Sequence, residues 1–216
     1  MKELLLALLM MTPFTNINMA SYHQSVSTNI NIVEPTESKQ GYNEEYKIIF
    51  NNMKKAMSAT PSTENVNLDF VLEMMPHHES GINMAKAIVK YGSNPKVKKI
   101  AENIITSQSA EIPIMQQLKT KFEKEKPSNK ADLEKYIKEY DKVKNTMFKE
   151  MENVEITDNV DVNFLQEMIS HHEGAIGMVN NILKYTKDPE LKKLAENILS
   201  TQNKGVEDMK SLLKTL

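Results

Sequence analysis

An all-α protein made of two tandem three-helix units is predicted by three observations. Composition is the first: the 216 residues hold only 6 Gly and 8 Pro, with abundant Lys, Glu, Met and Leu, a mixture that favours helix. Internal repetition is the second. A shift of 94 residues lays Phe70-Val71-Leu72-Glu73-Met74-Met75-Pro76-His77-His78-Glu79 on Phe164-Leu165-Gln166-Glu167-Met168-Ile169-Ser170-His171-His172-Glu173 without a gap. The third is periodicity: Ile100, Ile104 and Ile105, and their counterparts Leu194, Ile198 and Leu199, mark one helical face in each copy.

The elements follow in order. Residues 1–20 have the layout of a secretory signal peptide. A short charged start (Lys2, Glu3) precedes an apolar run from Leu4 to Met11, and a small residue, Ala20, closes the segment. That run is too short to span a bilayer, which takes ~20 residues. Residues 21–41 are rich in Ser, Thr, Asn and Gln and read as a flexible tether. The first repeat covers 42–120, a charged Pro-containing linker covers 121–133, and the second repeat covers 134–216. Within each repeat the first helix is expected over about 42–58 and 132–152, the second over 68–90 and 162–184, and the third over 95–119 and 189–215. Asn94-Pro95 and Asp188-Pro189 each set a capping side chain before a proline at the first helical position. Pro76, inside the second helix, is expected to kink it or free a carbonyl beside the two histidines.

Several function classes are excluded by composition. Net charge is −2 and all 27 basic residues are lysine, so the chain has neither the basic excess nor the guanidinium forks of a nucleic-acid binder. With no cysteine, disulfide scaffolds, thiolate zinc sites and cysteine-bound iron–sulfur clusters are out of reach. No Ser/His/Asp set, phosphate-binding glycine loop or metalloprotease motif occurs, so the protein is not expected to be an enzyme. No later stretch is apolar enough to insert the mature chain in a membrane.

What the two copies share points to metal. Of the eleven methionines after the leader, ten pair across the repeat: Met53/Met147, Met57/Met151, Met74/Met168, Met84/Met178 and Met115/Met209. His77/His171 and His78/His172 pair as well. Elsewhere the copies exchange apolar residues freely, as a core tolerates; Val71 becomes Leu165 and Ile100 becomes Leu194. On a helical wheel Met74, His77, His78, Gly81 and Met84 fall within an arc of about 120°, and Gly81 lets another helix come close. Met84 lies about two turns from His77, so the stripe suggests two ligand levels per copy. Met53, Met57 and Met115, with Met147, Met151 and Met209, complete them from neighbouring helices. Thioether sulfur is soft and uncharged and selects Cu(I) or Ag(I); imidazole also suits copper, so Cu(II) is admitted. The candidate ligands are therefore these ten methionines and four histidines. Glu79 and Glu173 are expected to cap, solvate or orient the neighbouring histidines. Gln108 and Gln202 fit polar packing or a supporting donor role, and His23 an exposed or accessory one.

The string Met-x-x-His-His-x-x-x-x-x-Met, with a later x-Pro…Ala-x-x-Ile…Gln…Met, resembles the family named "domain of unknown function 305". It stands here as Met74, His77, His78, Met84 and as Met168, His171, His172, Met178, followed by Gln108/Met115 and Gln202/Met209. The resemblance covers both repeats. It implies ferritin-like helical domains and an exported, periplasmic or extracellular copper binder acting in tolerance or trafficking, with a copper exporter or acceptor protein as partner. Copy one keeps the family's Glu-Ile at Glu111-Ile112; copy two has Gly205-Val206.

Two other classes compete with a metal carrier. A ferritin-like di-iron oxidase wants Glu on several helices and Glu-x-x-His pairs, which this chain lacks. A metal-free helical interaction module would use the methionines as an adaptable surface.

Overall fold

The computed structural model describes residues 35–216, which form six helices and, among those residues, no strand: α1 Pro35–Ala59, α2 Val66–Tyr91, α3 Pro95–Phe122, α4 Lys130–Glu152, α5 Val160–Ile182 and α6 Pro189–Leu213. Residues 1–34, on which the expected signal peptide, most of the expected tether and His23 fall, lie outside the described residues.

Side-chain caps set most of the helix starts. Asn65, Asn94, Asn129, Asn159 and Asp188 each accept from two of the first free backbone N–H groups of α2 to α6, donors that have no partner within the helix. Asn65 and Asn159 bring α2 and α5 in two residues earlier than periodicity suggests. The largest departure is α1. Residues 35–41, expected as tether, are helical. Proline suits the first position of a helix, and the segment is held from outside. Ser38 Oγ donates to the Tyr91 carbonyl at 2.5 Å, covering a free carbonyl at the end of α2. Gly41 lies so close to the Tyr91 ring that a Cβ there would meet it at 2.6 Å. The helix α2 runs unbroken through Pro76; the missing N–H leaves the Leu72 carbonyl without its intrahelical donor.

Architecture follows from which faces are apolar. α2 packs on α3, α5 on α6, α2 on α5 and α3 on α6, closing a four-helix ring; α1 lies on α2 and touches α5, and α4 lies on α5. One hydrophobic core runs through both copies. The arrangement is all-α and ferritin-like, and the repeats are two halves of one body.

Polar contacts also cross between the halves. Tyr42 on α1 donates to Glu167 on α5 at 2.5 Å, and its repeat mate Tyr136 on α4 donates to Glu73 on α2 at 3.3 Å. Asp161, 2 % exposed at the start of α5, accepts from the Ser93 N–H, the Ser93 hydroxyl and the Asn94 N–H. It thereby ties the turn between α2 and α3 to the second copy. Asp161→Ala strands three donors at once and is expected to cost about 2 kcal/mol, read as a lower urea midpoint with an unchanged slope.

Candidate metal site

The two His-His pairs meet where α2 crosses α5. Both helices are buried on this face, and Gly81 leaves room there for side chains of α3 and α5. A Cβ on Gly81 would lie 2.5 Å from Gln108 Oε1 and 2.8 Å from His171 Cε1. The sequence expectation that this glycine admits another helix is met: Gln108 from α3 and His171 from the other copy both come up against it.

His77 and His171 stack ring on ring, centroids 3.8 Å apart and planes 30° from parallel. Each Nε2 lies 3.1 Å from the backbone carbonyl of the other histidine. A carbonyl only accepts, so Nε2 carries the proton in both rings and Nδ1 carries the lone pair. His78 Nε2 lies 2.7 Å from Glu111 Oε2, and Asn197 Nδ2 donates to Glu111 Oε1 at 3.0 Å. Nδ1 has no hydrogen-bond partner in any of the four rings. An imidazole whose N–H is held by a carbonyl or carboxylate while its second nitrogen is free is the usual posture of a metal ligand.

Burial favours the neutral form of three of these rings, those of His77, His171 and His172. His77 and His171 are wholly inaccessible. Burial first, then the charge His171 would carry, holds His77 well below the ordinary imidazole value. Burial takes His171 down to about 3, and burial followed by His171 lowers His172 as well. A neutral imidazole is the form that binds a metal.

All ten candidate methionines are buried in the same core: Met53, Met57, Met74, Met84 and Met115 from the first copy, Met147, Met151, Met168, Met178 and Met209 from the second. Met53 is linked to the histidines through Ser80. Ser80 Oγ donates to Met53 Sδ at 2.7 Å and stands 3.1 Å from His171 Nε2. Its repeat mate is Gly174, against which Met147 Sδ packs so tightly that a Cβ would be 2.2 Å away. Met74 and Met168 sit one helical turn before the histidines. The other methionines belong to the same core. The centre therefore belongs to both copies at once, whereas the helical wheel suggested separate ligand levels within each. Among the described residues, no three His, Asp or Glu side chains are placed to hold a metal ion together.

Residues that sequence reasoning did not place complete the picture. Ser80 carried no signal in the chain, and Asn197 only its identity with Asn103 in the repeat. Glu79 and Glu173, expected to support the histidines, are exposed, and Glu173 pairs with Lys210 at 2.6 Å. The supporting carboxylate is Glu111, from α3. Its signal was there in the repeat comparison, where Glu111 meets Gly205.

Fold and centre define a ferritin-like helical bundle with an imidazole cluster set in a methionine-rich core. The chain belongs to the family described as "Domain of unknown function (DUF305)", which matches residues 67–213. Solved structures agree. CopM in the apo form is 28% identical, with a TM-score of 0.52 over 69% of this chain and 96% of that one. CopM in the Cu(I)-bound form is 27% identical at the same TM-score and coverage. A DUF305 fragment from Deinococcus radiodurans shares the fold at 22% identity and a TM-score of 0.52, covering 70% of this chain and 97% of its own. An uncharacterized protein, L153, of Acanthamoeba polyphaga mimivirus is 42% identical over 53 residues, 24% of this chain; the match spans about a third of that relative, 35% of its length.

Proposed function

We propose that this protein is an exported binder of soft metal cargo. It sequesters or carries copper, Cu(I) first and Cu(II) or Ag(I) as alternatives, for metal homeostasis or tolerance. It passes the ion to or from an exporter or acceptor protein and catalyses no reaction. One observation carries the reading: four buried imidazoles, each with a free Nδ1, stand at the junction of two methionine-bearing helices. Without a His/Asp/Glu triad among the described residues, an ion held here draws on thioether sulfur, which favours soft cations over zinc, calcium or magnesium. CopM, similar over most of its length, has been crystallised in Ag-bound, Cu(II)-bound and Cu(I)-bound forms. No described helix is long and apolar enough to cross a membrane.

The competing interaction module needs methionines on the surface. All ten paired ones are buried, which removes the adaptable face that such a module would present.

The test is a Cu(I) titration of the purified chain against a competing chelator, with metal analysis after desalting. Retention of two or more ions per chain is expected. It should fall when His77, His78, His171 and His172 are replaced by Ala, and fall again with Met53→Leu and Met74→Leu. Copper no higher than in that combined variant would end the proposal.

A further inference from the structure

A binding centre sealed inside a bundle needs a way in, and the two copies differ at one spot that supplies it. In the first copy Glu111 stands over His78, and Asn197 braces the carboxylate from α6. The repeat mates of these three residues are His172, Gly205 and Asn103. Here the carboxylate is missing. The Cδ2–Nε2 edge of His172 faces Gly205, where an added Cβ would lie 2.9 and 3.1 Å from those two atoms. Between α3 and α6 the absent side chain leaves a cleft of about 180 Å³, lined by His172, Gly205, Asn103, Ser107, Gln202 and Thr201. His172 is only 2 % exposed, and its Nδ1 is unpartnered. Gln202, equally buried, brings an unpartnered Oε1 to the same cleft.

The geometry points to this cleft as the door of the metal centre: a soft cation first meets His172 at the floor of the α3/α6 cleft and passes from there to the buried rings and sulfurs. His172 and His171 lie side by side, ring centroids 5.9 Å apart. His171 stacks on His77 at 3.8 Å, and His77 and His78 are 6.1 Å apart. The four imidazoles thus form a continuous row from the cleft to the ring that Glu111 closes. Loading is one-sided because a glycine stands in one copy where the other has a carboxylate. This inference rests on the proposed soft-metal role and adds the route and its direction.

The full metal-free chain can be tested in two ways. Diethyl pyrocarbonate acylates accessible neutral imidazole nitrogens, and peptide mass analysis reports which ring reacts. His172 is expected to react several-fold faster than His77, His78 or His171. Stopped-flow uptake of Ag(I), a redox-inert soft cation, reads entry itself. Gly205→Glu rebuilds the first copy's lid, and should protect His172 and slow uptake about tenfold or more, with the final Ag(I) content unchanged. Glu111→Ala tests the converse without requiring a tight fit: it should expose His78 to the reagent and speed uptake. If His172 reacts no faster than His78, or if both variants take up Ag(I) at the wild-type rate to the wild-type content, the door is wrong while the binding role stands. A wild-type chain that retains no Ag(I) and no Cu(I) overturns both.

Discussion

Thermal stability of the metal-free protein is expected to peak near pH 6, about midway between two opposing sets of buried groups. Burial first, then Asp69, raises the Glu73 carboxyl from its ordinary 4.5 to about 8; burial likewise raises Glu167 to about 8. Their folded forms hold protons that the unfolded chain releases. Stability from these groups is whole below pH 4.5 and is lost as pH rises toward 8, by roughly 3–5 kcal/mol for each carboxyl. The histidines act the other way. His77, His171 and His172 are held below their ordinary 6.5 by burial, His171 at about 3. The unfolded chain then binds protons that the folded chain refuses, so stability falls as pH drops below 6.5. Between 4.5 and 6.5 the two slopes oppose each other; below 4.5 only the histidine slope remains and the bundle unfolds. Glu73→Gln with Glu167→Gln should flatten the alkaline limb. At pH 8 that double variant should melt about 5 °C or more above the parent, measured by circular dichroism across a pH series. A melting temperature that stays level from pH 6 to 8.5, or that the double variant leaves unmoved, would contradict this account.

His77→Ala and His171→Ala are each expected to cost about 3 kcal/mol. Each removes a fully buried ring from the α2–α5 crossing, leaves a cavity, and strips a hydrogen bond from a carbonyl of the other copy. Either change already breaks the shared stack, so the double variant should lose less than the sum. The difference should be about 1 kcal/mol, as for residues in direct contact. Urea unfolding of the four proteins in the cycle gives the number. Strict additivity would mean that the rings pack independently and that the crossing is held by the surrounding aliphatic side chains.

Much of this protein was legible along the chain because the information is local. Apolar spacing marks the buried faces, and Asn94-Pro95 and Asp188-Pro189 stop one element and start the next where the structure does. The gapless repeat predicts two equivalent halves, and the pairing of methionines and histidines picks out the residues of the candidate centre. Where the reading fell short, the deciding contact lay far away in sequence. Residues 35–41 have no apolar period, yet they are helical because Ser38 and Gly41 rest on Tyr91 at the far end of another helix. A helical wheel sees one helix at a time. It put Met74, His77, His78 and Met84 on one face, but it could not show that His77 stacks on His171, that Ser80 joins Met53 to the other copy's ring, or that Tyr42 and Tyr136 exchange Glu167 and Glu73.

The Glu111/Gly205 difference shows both halves of this division. Alignment of the repeats reveals the substitution, and nothing in the chain says what it does. Its meaning depends on which side chain stands opposite, and that is set when α3 and α6 close over α2 and α5. There a carboxylate seals one histidine and a glycine leaves its twin open. Periodicity, capping and repetition are properties of consecutive residues, so the sequence carries them directly. The shared imidazole centre and its one-sided access arise from the crossing of two copies, and a crossing exists only once the helices have packed.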